Sequence, residues 1–432
     1  MKKPAASVFL RAAFFLAGAG LAHAAQNPTT ILVLGSSTAA GSGASTYSNS
    51  WVGLLTSVLA PKGFVVKNNS IGGTATGDSL ARFDRDVTPY APAFVLLATS
   101  FANEPGTDTP HDYLQNTLLL IRKVESIGAI PIVVAPYPND SFNASTYSSV
   151  MDIYATLNAE GIPILDFLDA TDNGHGHWVA GMSLDGTHPT DVGHRLLFDC
   201  IPLTLFDSLQ RPRPPMNPHG FGSWIQTSDT TTRGDLEIRP YSGMQSWTVS
   251  LWTNPSASPN ERTLLNLNNG GFQLRRTGSV WTLWNGSVQL AAMDIRETRA
   301  FHHVAFEYQS ITGMLGLYID GQLRAQALRP AEKPLTVLSI GGDPANASLN
   351  AEGDAFADVL LYRAPLSQTD MQAIRFGHTP WKSVEAWLPL AYSPNRGVQN
   401  LAASVPTVIV FGTWTWSSQA ISTGTQRPAM VR

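Results

Sequence analysis

The sequence predicts an α/β domain built on a parallel sheet with helices on both faces, joined to an all-β sandwich. Three observations carry this. Up to about residue 209, short β-branched runs alternate with stretches whose apolar residues recur at helical spacing. At 210–220, "QRPRPPMNPHG" sets four prolines into the chain. Beyond them the apolar period drops to two, in short runs divided by Gly, Asn and Asp turns.

The strand-sized runs of the first half are "ILVLG", "FVVKNNS", "FVLLATS", "IPIVVAP" and "IPILDF". Between and after them lie "SWVGLLTSVLAPKG", "DYLQNTLLLIRKVESIG", "SSVMDIYATLNAEG" and "TDVGHRLLFDCIPLTLFDSLQ", with Gly63, Gly128 and Gly161 where helices end. Strands alternating with helices imply a parallel sheet buried on both sides, with functional residues at the carboxyl ends of its strands. The prolines exclude helix and central strand, so 210–220 reads as a stiff linker holding two independently folded domains apart. In the second half, "SWTVSLWTN", "RTLLNL", "GFQLRR", "VWTLWN", "HHVAFEY", "LGLYIDG", "VLSIGG" and "ADVLLYR" read as strands, and "LSQTDMQAIRFG" as a brief return to helix. The expected domains are 28–209 and 221–432.

Composition narrows the function classes. With 432 residues, 43% hydrophobic and 14% charged, the chain is globular and long enough for two cores. A net charge of −4, with seven lysines and no basic cluster, gives no footing for nucleic acid or an anionic membrane. Lys2, Lys3 and Arg11 precede the apolar run "AAFFLAGAGLA", and "AHA" at 22–24 fits cleavage before Ala25. A signal peptide at 1–24 and a secreted or periplasmic product, with no membrane span after cleavage, are therefore expected. The one cysteine, Cys200, rules out an intramolecular disulfide. Oligomeric state is left open.

Four polar constellations follow the strands in order. "GSSTAAG" (35–41) puts Ser37 on a glycine-flanked turn, the backbone a serine needs to project its hydroxyl and aim its own N–H at a substrate oxygen. "NNSIGGTATGD" (68–78) offers paired glycines whose N–H groups a ligand can approach without a Cβ in the way. "ATSFANEPG" (98–106) presents the Asn103 amide to the same space. In "DGTHPT" (185–190), a three-residue offset lets the Asp185 carboxylate reach a ring nitrogen of His188, fixing its tautomer and supporting the imidazolium of acyl transfer.

In this order the residues resemble the SGNH (GDSL) hydrolase family, over the whole first domain. The resemblance implies a three-layer, flavodoxin-like α/β fold and a serine esterase needing neither metal nor cofactor. It implies Ser37 as nucleophile, His188 as base and Asp185 as its orienter. The oxyanion donors it implies are the Ser37 N–H, Gly73 with Gly72 the alternative, and the Asn103 amide. Three positions depart from the family pattern: Ser36 replaces the Asp of GDS, Phe101 stands where GxND has glycine, and Glu104 replaces that block's Asp. Phe101 is expected to reshape the acyl pocket, and Trp178 of "NGHGHW" to offer a substrate platform near the cleft mouth. His175 and His177 lack the third ligand a zinc site needs, and His194 falls in a helix where a packing or surface role suits it better.

"FHHVAFEY", "GLYIDGQL" and "DAFADVLLYRAPLSQTDMQAI" resemble the laminin-G-like, concanavalin-type jelly roll from about 235 to 390, and the last 40 residues do not. This implies glycan binding, protein contact or a spacer. Asp320 of "YIDG" reads better as a hairpin turn than as a calcium ligand. Together the resemblances imply ester substrates, with an O-acetylated polysaccharide foremost. The alternatives are a lipid ester or thioester hydrolase, and an inactive hydrolase fold kept as a glycan-binding adhesin. No GxSxG, HExxH or GxxxxGK motif occurs, and no carboxylate pair of the glycosidase kind.

Overall fold

The computed structural model describes residues 27–105, 109–159, 162–208, 224–227, 232–295, 300–329, 333–377, 382–390, 398, 400–402, 404 and 406–417. The expected signal peptide and linker lie outside these residues.

All five expected strands of the first domain are present: β1 (Asn27–Gly35), β2 (Val65–Asn68), β3 (Pro92–Ala98), β4 (Ile130–Val134) and β5 (Ile164–Leu165). They form one parallel sheet in the order β2-β1-β3-β4-β5. The continuous apolar runs are explained by burial on both sides. Ile31 and Val33 of β1, with Phe94 and Leu96 of β3, face the layer containing α2 (Trp51–Leu59) and α7 (Asp191–Asp199). Leu32, Leu34, Val95 and Leu97 face the opposite layer of α3 (Thr76–Asp86), α4 (Thr109–Ser126) and α5 (Ala144–Ala159). Two-residue alternation within an unbroken apolar run thus feeds two cores from one strand. The remaining short helices are α1 (Ser37–Ala40), α6 (Phe167–Thr171) and α8 (Leu205–Ser208).

The second domain is a sandwich of a seven-stranded and an eight-stranded antiparallel sheet around one large core. The eight runs read as strands are strands, and Gln368–Arg375 is the expected helix. The terminal region carries more order than its weak resemblance implied. Thr407–Val410 pairs with Leu236–Arg239 and Trp414–Ser417 with Trp224–Thr227, so the chain end finishes an edge of each sheet. Asp320 and Gly321, at φ 54° and 75°, form a two-residue hairpin turn, as the sequence indicates for "YIDG".

The expectation of two domains held apart is corrected. Lys382 bridges in parallel to Ile164 of β5, the Ser383 N–H donates to the Ile164 carbonyl at 2.8 Å, and Ala364 lies within a hydrolase-side core cluster. Proline density stiffens a tether but says nothing about whether the surfaces it joins attract each other.

Candidate active site

The site assembles where β1, β2 and β3 end. β1 delivers Gly35 and Ser36, and α1 opens with Ser37. Ser36 is fully buried, with its N–H on the Ala98 carbonyl at 3.1 Å, which locks the turn to the end of β3. The guanidinium of Arg82, buried on α3, holds the exits of β1 and β2 together. It donates to the Gly35 carbonyl at 3.0 Å and the Asn69 carbonyl at 2.6 Å, and pairs with Asp86 at 3.0 Å.

Ser37, His188 and Asp185 are brought into line. His188 Nδ1 donates to Asp185 Oδ2 at 2.8 Å. With that proton committed to the carboxylate, Nε2 is left to accept from the Ser37 hydroxyl at 3.0 Å. Asp185 Oδ1 also accepts the backbone N–H groups of His188 at 2.7 Å and Thr187 at 2.9 Å. The His188 side-chain bond first, then these N–H groups, hold the Asp185 carboxyl down at about 2. Asp185 is thus ionised throughout the range in which enzymes work.

Two glycines allow the approach. Gly43, at φ 92°, lets the loop after α1 lie against the histidine loop, since a Cβ there would stand 2.2 Å from the Pro189 carbonyl. Gly186, at φ 80°, turns the Asp–His loop over Asp140, which would be 3.0 Å from an added Cβ. Asp140 supports the loop from below: its N–H donates to the Gly186 carbonyl at 2.8 Å, and its Oδ1 accepts the Trp178 N–H at 2.9 Å.

The second and third blocks meet beside Ser37. Gly72 lies closest, with an added Cβ 3.6 Å from the serine Cβ, while Gly73 takes the left-handed conformation at φ 75°. Asn103 Nδ2 donates to the Ser36 hydroxyl at 2.5 Å and to the Thr74 carbonyl at 3.1 Å. The departure at Ser36 therefore has a use, because its hydroxyl receives the asparagine. The departure at Glu104 has one too: its carboxylate caps α3, taking the Thr76 N–H at 2.6 Å, although burial raises its pKa above the ordinary value.

The two expected substrate-binding aromatics are both buried. Trp178, only 5% exposed, stacks on Tyr137 with ring centres 6.4 Å apart. The indole packs inward onto the sheet core, and the residue also borders a cavity of about 530 Å³ with Tyr147, Asp172 and Leu366. Phe101 packs edge-on against Tyr113 and Phe142 and also lines a cavity of about 360 Å³ with Phe142, Ser141 and Thr146. Of the two roles open to His194 the structure has packing: it is buried, Nδ1 accepts the Trp51 N–H at 3.4 Å, Nε2 donates to the Ser42 carbonyl at 3.0 Å, and burial lowers its pKa. His177 meets the Phe142 carbonyl at 2.7 Å. Arg82, Asp140 and Gly43 were missed by motif reading; a basic residue on an otherwise amphipathic helix was the one trace of Arg82.

Comparison with known proteins finds a match for each half of the chain. Residues 33–196 match the GDSL-like lipase/acylhydrolase family. Residues 223–372 match the concanavalin A-like lectin/glucanases superfamily. No curated protein matches the chain. Among solved structures, a lipase/acylhydrolase from Enterococcus faecalis is 22% identical at a TM-score of 0.33, over 39% of this chain and 91% of its own. The esterase EstA from Pseudoalteromonas sp. is 21% identical at 0.34, over 42% and 97%. A putative carbohydrate binding protein from Bacteroides ovatus is 14% identical at 0.37, over 47% and 62%. The last three are likenesses of fold alone, and each sequence match covers less than half of the chain.

Proposed function

We propose that the chain, whose residues 33–196 match the GDSL-like lipase/acylhydrolase family, is an exported serine esterase acting on short acyl esters, foremost O-acetyl groups of a polysaccharide. One observation carries the chemistry: the Ser37–His188–Asp185 relay at 3.0 Å and 2.8 Å.

Ser37 Oγ attacks the acyl carbon as its proton passes to His188 Nε2, and Asp185 steadies the imidazolium. The oxyanion is held by the Ser37 N–H, a donor from the Gly72–Gly73 turn and the Asn103 amide. Asn103 exchanges one of its present acceptors for the substrate oxygen as charge develops. The bond to the alcohol then breaks as His188 returns the proton to the leaving oxygen. Water, deprotonated by His188, attacks the acyl-enzyme by the same route and frees Ser37.

The signal-like sequence of the N-terminal segment supports export; among the described residues no helix is long and apolar enough to cross a membrane. The acetylated polysaccharide is supported by the pairing of an acylhydrolase domain with a concanavalin A-like one. Rates on nitrophenyl acetate, nitrophenyl octanoate and acetylated xylan test the reading together. Fast acetate and xylan turnover is expected. Preference for octanoate points to the lipid-ester alternative, and no turnover of any ester to the adhesin.

A further inference from the structure

The two domains meet through a buried charge cluster. Lys382 of the sandwich is 2% exposed and its ammonium lies 2.8 Å from Asp370, 3.1 Å from Asp169 and 3.9 Å from Asp166. Asp370 belongs to the sandwich, whereas Asp166 and Asp169 belong to the hydrolase domain, at the end of β5 and on α6. The ammonium also sits 4.5 Å over the Tyr154 ring of α5. Burial by itself would lower the lysine's pKa, but the neighbouring carboxylates outweigh it and hold the group charged, while burial pushes Asp166 and Asp169 upward, Asp169 the further for lying beside Asp166.

Beside this cluster the backbones are joined. The Ser383 N–H donates to the Ile164 carbonyl, and Ser383 Oγ accepts the Asp166 N–H, both at 2.8 Å. Strand β5 is two residues long and stands at the sheet's edge, where backbone groups without a partner invite pairing. Asp166 in turn caps α6, accepting the Asp169 N–H at 3.1 Å. The chain then runs through Asp172, whose carbonyl accepts from Gln309 of the sandwich at 3.2 Å, into the loops that carry His188.

We propose that Lys382 and Ser383 close the edge of the hydrolase sheet, so that the sandwich is an integral part of the hydrolase domain's folded structure rather than a tethered accessory. The occupant of the edge strand is thus a segment of this same chain, selected by one cation set against two buried carboxylates of the domain it covers. Removing that cation leaves Asp166 and Asp169 buried without compensation, which is costly, while neutralising a carboxylate at the same time relieves the penalty.

The test reads association and melting, not ester turnover, so it stands or falls separately from the proposed esterase activity. A specific protease site is inserted between Arg213 and Pro214 of the full chain, and the purified protein is cut. The two pieces are expected to co-elute on gel filtration at 0.15 M salt and to melt together, close to the uncut protein. Pieces that separate, with the hydrolase piece melting unchanged, overturn the proposal. In the uncut chain Lys382→Met is expected to lower the melting temperature by roughly 10 °C. Adding Asp169→Asn should recover part of that loss. Equal melting of wild type and Lys382→Met also overturns it. Should Lys382→Met fail to fold, the cut wild-type protein decides the matter without any substitution.

Discussion

Among the described residues, two aspartate–histidine pairs share the same contact distance, one in each domain. Asp185 Oδ2 lies 2.8 Å from His188 Nδ1, and Asp320 Oδ2 lies 2.8 Å from His302 Nδ1. In both, the other carboxylate oxygen accepts a backbone N–H, from His188 at 2.7 Å and from His303 at 3.0 Å. The surroundings differ. The His188 side chain is 28% exposed and its Nε2 meets a serine hydroxyl. The His302 side chain is 6% exposed and its ring stands edge-on to Trp281 in the sandwich core. An Asp–His pair is therefore a fastening by itself. It becomes an acid–base device when a nucleophile reaches the second nitrogen and solvent reaches the nucleophile.

The comparison can be broken at its strongest point first. Ser37→Ala should leave the fold intact and lower kcat by roughly 10⁵ to 10⁶, because serine and base act as a unit; steady-state kinetics with a nitrophenyl ester measure this. Next, Asp185→Asn should cost about 10³ to 10⁴ in kcat by losing the tautomer that leaves Nε2 free to accept. Asp320→Asn, its counterpart, should leave kcat unchanged and show itself only as a lower melting temperature. Equal kinetic effects of the two substitutions would make the difference in surroundings irrelevant.

Asn103→Ala should lower kcat by about 10² to 10³ with little change in KM, since the oxyanion forms only near the transition state. A fall in melting temperature with kcat intact would mean that Asn103 serves only to tie Ser36 to Thr74. The smallest effect sharpens the role of Asp185. Its folded pKa, about 2, lies below the roughly 3.9 of an unfolded aspartate. Its stabilising contribution is therefore fully present above the unfolded value and is lost only as pH falls through about 2. The acid-side loss of kcat/KM above about pH 4 should accordingly show a slope of one, with no contribution from Asp185. A slope of two there would mean that the carboxylate titrates as well.

The proposed catalytic constellation was legible because its chemistry is local. Asp185 and His188 share one turn, and Ser37, the Gly72–Gly73 turn and Asn103 each follow a strand whose apolar run announces it. The supports were not. Arg82 acts across two strand ends, and Gly43 matters because of a loop about 145 residues later, so neither spacing nor period reveals them. The burial of Trp178 was not legible, because a tryptophan beside two histidines looks the same in sequence whether its indole faces solvent or the sheet. The edge strands at 407–410 and 414–417 gain their order from partners near 236–239 and 224–227, which no local pattern announces. Lys382 is the extreme case: one lysine in "WKSVEAW" gives no sign that two aspartates 213 and 216 residues away await its charge.

The central claim is that Ser37 is the nucleophile, made so by His188. Treating the full-length protein with an alkyl phosphonate ester and locating the adduct by mass spectrometry tests it directly. A single adduct on Ser37, formed far more slowly in His188→Ala, is the predicted result. Full modification at another serine, or labelling of Ser37 at the same rate without His188, would contradict it.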